Sequence, residues 1–188
     1  VNYETASRNG EPFDTLLNKR KALPNPVMRL CTQELKVNVM KRYMKSLGVD
    51  EWYNVLGLRA DESSRVVRAT GKNCMDSWIS ICPLANQGIT NDDVVKFWRN
   101  NDFDLQLPLI NDKTAAGNCD LCYLKGMKTV VNLIAEKPEL ADWWIEKEEK
   151  FGRYFRKDRP EYRRLVEISK EDKHNLVDDD SYSCFCHD

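Results

Sequence analysis

Apolar residues along this chain recur mostly at helical spacing. After Thr32, the positions Leu35, Val39, Met40, Tyr43, Met44 and Leu47 follow a helical period, and Gly48 stands where a helix would terminate. Cys31 then falls at or just before the N-terminus of the helix they predict. A shorter amphipathic stretch around Phe13 to Lys21 predicts one short helix inside a polar, turn-rich segment from Val1 to Met28. Trp52 to Leu58 is an apolar run of strand length and reads as a buried strand. Thr90-Asn91-Asp92-Asp93 has the form of a capping box and predicts a helix from about Asn91 to Asn100. Cys122, Leu124, Met127, Val130, Val131 and Ile134 predict a helix that starts near a cysteine pair and ends before Pro138. Pro138-Glu139-Leu140 opens another, carrying Trp143, Trp144 and Phe151. Glu161 to Lys170 predicts a last helix with a thin apolar face.

Composition sets the outer limits. A chain of 188 residues with 41% hydrophobic content can bury one sizeable core. Lys plus Arg (29) nearly balances Asp plus Glu (30), so overall charge gives no reason to expect attraction to nucleic acid or to a membrane surface, and any anion site must be local. No apolar run approaches membrane-spanning length, so the expected protein is soluble, intracellular and cytoplasmic. Seven cysteines form an odd set, too sparse for a secreted disulfide framework; reduced thiols or metal ligands fit better.

The chemistry concentrates in Cys119-Asp120-Leu121-Cys122 and in the distant Cys31. Two thiolates three positions apart can chelate one soft metal or cluster, and a third from another segment would tie two parts of the domain together. The lesser alternatives for the pair are a redox dithiol or two helix-packed thiols. Gly57-Leu58-Arg59-Ala60-Asp61-Glu62-Ser63-Ser64-Arg65 follows the predicted strand, at the position where ligands collect in open α/β sheets. A guanidinium there would match phosphate or sulfate oxygens in bidentate fashion, or would simply pair with Asp61 or Glu62. Cys74 and Cys82, among Trp78, Ile79 and Ile81, read as buried structural thiols. Of Trp143 and Trp144, one is expected in the core and one at a surface.

In order along the chain, Arg29-Leu30-Cys31-Thr32-Gln33-Glu34-Leu35-Lys36, the Gly57 to Arg65 segment, Cys82-Pro83-Leu84 with Asp92-Asp93-Val94, and the cysteine pair resemble the phosphoadenosine phosphosulfate (PAPS) reductase family. The likeness is to its phage and bacterial branch, within the adenine-nucleotide alpha-hydrolase-like superfamily. The resemblance implies an α/β fold, a partial doubly wound parallel sheet with a helix-rich C-terminal region. It divides the chain into an α/β domain over 1–135, a helical extension over 136–175 and a flexible cysteine-containing tail over 176–188. The family's Ser-Gly-Gly-x-Asp-Ser phosphate loop has no counterpart in the 188 residues. The expectation is a C-terminal part of a longer protein, or a relative that has lost the nucleotide pocket.

The resemblance further implies Gly57, Arg59 and Arg65 as substrate-binding residues on the sulfate or phosphate side. It implies Cys31, Cys119 and Cys122 as ligands of a [4Fe–4S] cluster, with zinc as the alternative metal. The adjacent Cys-Cys of some members is Leu30-Cys31 here, which removes one ligand. Cys184-Phe185-Cys186-His187 departs from the reductases' Glu-Cys-Gly-x-His tail, so Cys184 and Cys186 stand as catalytic thiols or as metal ligands. Implied partners are an adenine nucleotide or sulfonucleotide, held through an upstream segment or a partner chain; a homo-oligomer is compatible with this. The competing expectation is a non-catalytic, metal-stabilised interaction protein that kept the scaffold and lost the nucleotide site.

Overall fold

The computed structural model describes residues 4–71, 77–103, 109–110, 113–114 and 119–171. They form two compact units. One is built from the described residues up to Met40 together with those from Cys119 onward, and the other from those between Lys41 and Thr114.

In the first unit, α1 (Glu11–Arg20) begins after Gly10, whose φ of +82° suits glycine, and carries Pro12 in its first turn. Leu16 and Leu17 are buried, and Phe13 meets Trp143 edge to face with centroids 5.1 Å apart. The chain then forms α2 (Leu30–Thr32), a π-helical turn over Gln33–Val37 and the start of α3 (Asn38–Ser46). After the cysteine loop come α7 (Met127–Glu136), a 3₁₀ turn over Pro138–Ala141, α8 (Asp142–Phe151) and α9 (Tyr162–Glu171). Val130, Val131, Leu133 and Ile134 of α7 pack toward α9, where Leu165 is fully buried. Each such side chain contributes about 1.5–3 kcal/mol on leaving water. The aromatic centre of this unit is Tyr123, Trp144, Phe155 and Tyr162; Trp144 stacks on Tyr162 at 5.0 Å and meets Phe155 at 4.8 Å.

In the second unit, β1 (Trp52–Val55) pairs in parallel with β2 (Trp78–Ile81), Trp52 opposite Trp78 and Val55 opposite Ile81. A parallel pair needs a crossover, here a 3₁₀ turn at Ala60–Glu62 and α4 (Ser63–Gly71). Leu56, Leu58 and Cys82 form the small core under α4, with Val66, Ala69 and Ala85 against them. The unit continues with α5 (Pro83–Asn86), α6 (Asn91–Arg99) and a short antiparallel pair, β3 (Leu109–Ile110) and β4 (Lys113–Thr114).

The sequence expectations meet this structure unevenly. The Thr90 capping box is present, with the Thr90 N–H and hydroxyl donating to Asp93 Oδ2 at 2.9 and 2.7 Å. The Thr32 to Leu47 stripe is helical, and its Val39, Met40, Tyr43 and Leu47 are exposed. The expected strand from Trp52 to Leu58 ends at Val55, and its partner β2 was read only as apolar surroundings for thiols. Trp144 is buried, as one of the two was expected to be, whereas Trp143 is half-buried between Phe13 and Trp144 rather than at a surface. The helix expected from the cysteine pair begins only at Met127, leaving the pair in a turn. Among the described residues no helix is long and apolar enough to cross a membrane. The fold is thus mixed α/β, rich in helix, with a parallel strand pair.

Candidate functional site: a cysteine loop and its surroundings

Cys31 lies in the first helical turn after Arg29, and Cys119 and Cys122 belong to the same unit. Its Sγ sits 3.6 Å from the hydroxyl of Tyr123, a contact across 92 positions of sequence that brings the Cys31 turn onto the residue next to Cys122. Tyr123 is 1% exposed and its ring stacks on Phe155 at 6.0 Å. Burial, reinforced by the neighbouring Cys31 and Cys122, pushes the phenol far above its usual range, so it keeps its proton and can either donate to the Cys31 sulfur or accept from its thiol.

The loop itself is a pair of tight turns, with Cys122 N–H donating to the Cys119 carbonyl at 3.3 Å and Lys125 N–H to the Cys122 carbonyl at 2.9 Å. Cys119 is exposed and Cys122 buried, and neither is in a disulfide. From the segment before α9, Arg159 Nη1 donates to the Lys125 carbonyl at 3.0 Å and Arg156 Nη1 to the Tyr123 carbonyl at 3.5 Å. Tyr162 Oη donates to the Leu121 carbonyl at 2.5 Å. Three alternate carbonyls of the cysteine loop are thus received by one stretch of chain. Tyr162 is itself fixed by its backbone N–H, which donates to Glu148 Oε2 at 2.9 Å, while Phe155 N–H donates to Oε1 at 3.1 Å. Burial outweighs these two bonds and holds the Glu148 carboxyl above the ordinary glutamate range.

Cys31, Cys119 and Cys122 supply only thiol sulfur, which suits iron–sulfur clusters and zinc. Among the described residues no three His, Cys, Asp or Glu side chains are gathered closely enough to hold a metal ion. The donor chemistry suits such a group, although the structure does not bring the three sulfurs together around one point. Cys184 and Cys186 lie outside the described residues, as do Cys74 and the acidic tail.

Gly57, Arg59 and Arg65 belong to the second unit. Arg59 caps the 3₁₀ turn, its N–H donating to Glu62 Oε2 at 3.0 Å, and its guanidinium meets Asp61 at 3.0 Å and Glu62 at 3.5 Å. Arg65 pairs closely with Glu62. The Asp61 carboxyl is partly desolvated, but Arg59 and the Asn91 N–H more than compensate and hold it below the usual range. A Cβ at Gly57 would meet no atom within 4 Å, so sterics place no demand for glycine there. The loop is tied down by Ala60 N–H to Ile89 carbonyl (2.8 Å) and Ala85 N–H to Leu58 carbonyl (3.1 Å).

Sequence reasoning passed over Tyr123, Arg156, Arg159 and Tyr162. Tyr123 could have been singled out as a phenol next to a proposed ligand in an apolar run; the other three carry no local signal. Comparison of the chain with protein-family models, with curated proteins and with solved structures returns no match.

Proposed function

We propose that this chain serves PAPS reductase-like sulfur chemistry on an activated adenylate, either reduction of a sulfonucleotide or ATP-dependent sulfur transfer. Cys31, Cys119 and Cys122 would hold a [4Fe–4S] cluster, or zinc in its place. The observation that carries this reading is the approach of Cys31 Sγ to Tyr123 Oη at 3.6 Å, which joins the two cysteine segments in one unit. When bound, a cluster would supply an electron reservoir or an iron that takes up sulfur.

The chain's own residues have definable tasks. Buried Cys122 and half-buried Cys31 would hold the group from the protein side, exposed Cys119 would complete the set, and Tyr123 would donate a hydrogen bond to the Cys31 thiolate. Gly57, Arg59 and Arg65 would meet the sulfate or phosphate side of the nucleotide, with Asp61 and Glu62 holding the guanidiniums until an anion takes their place. Cys184 or Cys186 would provide the mobile thiol that sulfonucleotide reduction needs.

The doubly wound sheet is part of the same reading. Tyr53, Val55 and Ile79 share one exposed face of the β1–β2 pair. Parallel strands are ordinarily covered on both faces, so this pair fits a portion of a larger sheet.

A second reading, a metal-stabilised interaction protein without catalysis, is favoured by one observation: Arg59 and Arg65 already have carboxylate partners. Anaerobic purification with metal analysis separates the two. A brown sample with broad visible absorbance and iron plus sulfide supports the first reading, and Cys119→Ser should then bleach it. A colourless sample with stoichiometric zinc supports the second. Protein that takes up neither metal after reconstitution overturns both.

A further inference from the structure

Glycine-free and exposed at one end, the turn from Cys119 to Lys125 is held by its own two backbone hydrogen bonds and by side chains that grip it from outside. The grip is directional. Tyr162 Oη gives its proton to the Leu121 carbonyl at 2.5 Å and accepts from Arg159 Nη2 at 2.9 Å, while Arg159 Nη1 reaches on to the Lys125 carbonyl at 3.0 Å. One hydroxyl and one guanidinium therefore fix the backbone on both sides of Cys122 and Tyr123. Tyr162 is 1% exposed, so water does not compete for these bonds. Its ring is stacked on Trp144 and its N–H is held by Glu148, which leaves the hydroxyl little freedom.

We propose that Arg159 and Tyr162 are positioning residues of the cysteine site: they set the loop so that Cys122 stays buried and the Tyr123 hydroxyl faces Cys31. This rests on the reading that Cys31, Cys119 and Cys122 act as one thiol centre. It adds that the segment leading into α9 belongs to that centre. The physical basis is that holding the Leu121 and Lys125 carbonyls fixes the turn between them, and with it the directions in which Cys122 and Tyr123 project. Losing the Tyr162 hydroxyl takes this donor from the buried Leu121 carbonyl, and losing the Arg159 fork takes one from the part-buried Lys125 carbonyl, so the loop gains by turning toward water.

The test uses the full chain in metal-free, reduced form. Iodoacetamide labelling resolved by mass spectrometry gives the rate at each thiol, and Cys82, buried in the other unit, reports general loosening. Titration with Co²⁺ alone, followed by thiolate-to-metal absorption, gives the affinity of the centre. Tyr162→Phe keeps the ring and removes the hydroxyl; Arg159→Lys keeps the charge and removes the fork, and serves should the first variant fold poorly.

Either variant should speed labelling of Cys122 with Cys82 unchanged, and weaken Co²⁺ binding about tenfold, the lower end for loss of an outer hydrogen bond. Unchanged Cys122 labelling in both variants overturns the proposal, as does parallel acceleration of Cys122 and Cys82. Selective exposure of Cys122 in a chain that binds no Co²⁺ even unmutated would uphold the positioning role and sink the metal reading instead.

Discussion

Glu148 accepts the backbone N–H of Tyr162 at 2.9 Å, so a buried carboxyl on α8 holds the first residue of α9. Its proton affinity is raised by burial. The folded state then binds a proton more readily than the unfolded chain, and this contribution to stability is complete below the normal glutamate pKa of about 4.3 and is lost as pH rises through the folded value. Denaturant titrations from pH 4 to pH 7, a range chosen to bracket roughly that window, should therefore give a wild-type minus Glu148→Gln difference that shrinks toward neutral pH. Glutamine can satisfy only one of the two N–H groups, so the variant should remain less stable throughout, by about 1–3 kcal/mol at most. A difference that grows with pH would reverse the assignment.

Cys82 is fully buried beside Leu56 and Leu58, and burial pushes its thiol up. Native protein should leave this cysteine unalkylated at neutral pH. Replacing it by serine places a hydroxyl in an apolar pocket at a cost of about 1–3 kcal/mol, measurable as a lower denaturation midpoint, whereas alanine should cost less than serine. Equal effects of the two changes would mean the pocket tolerates polar groups.

Arg59 and Asp61 form a partly exposed pair, of the kind worth about 0–1 kcal/mol. An incoming sulfate or phosphate can displace the carboxylate at that small cost. Arg59→Ala should weaken binding of an adenosine phosphosulfate analogue, read by calorimetry, and Asp61→Asn should strengthen it by up to about fivefold, the equivalent of about 1 kcal/mol. Affinity unmoved by both would remove this loop from the substrate site.

Tyr123→Phe keeps the ring against Phe155 and deletes the hydroxyl that meets Cys31. Stability should fall by only about 0.5–1.5 kcal/mol. In iron-loaded protein the reduction potential should move downward, because hydrogen bonds to sulfur favour the more negative reduced state. An unshifted potential would place Cys31 outside the ligand set.

Local signals were legible where the physics is local. The Thr90 to Asp93 box, the Pro138 boundary and the short helix after Gly10 depend on neighbours a few positions away, and each is present. The stripe from Leu35 to Leu47 gave the right element but not its surroundings, since periodicity reports a face without saying what meets it. β2 was missed because a four-residue run such as Trp78–Ile81 becomes a strand only when a partner supplies its hydrogen bonds.

By itself the sequence determined the helix-rich α/β character and the buried thiol at Cys82, and it singled out Cys31, Cys119 and Cys122 as candidate ligands. Only the tertiary structure decided that Tyr123 faces Cys31 and that Arg156, Arg159 and Tyr162 grip the cysteine loop. Side-chain chemistry is written residue by residue. A hydrogen bond to a backbone carbonyl, by contrast, leaves no mark on the residue that offers it, because every residue has one.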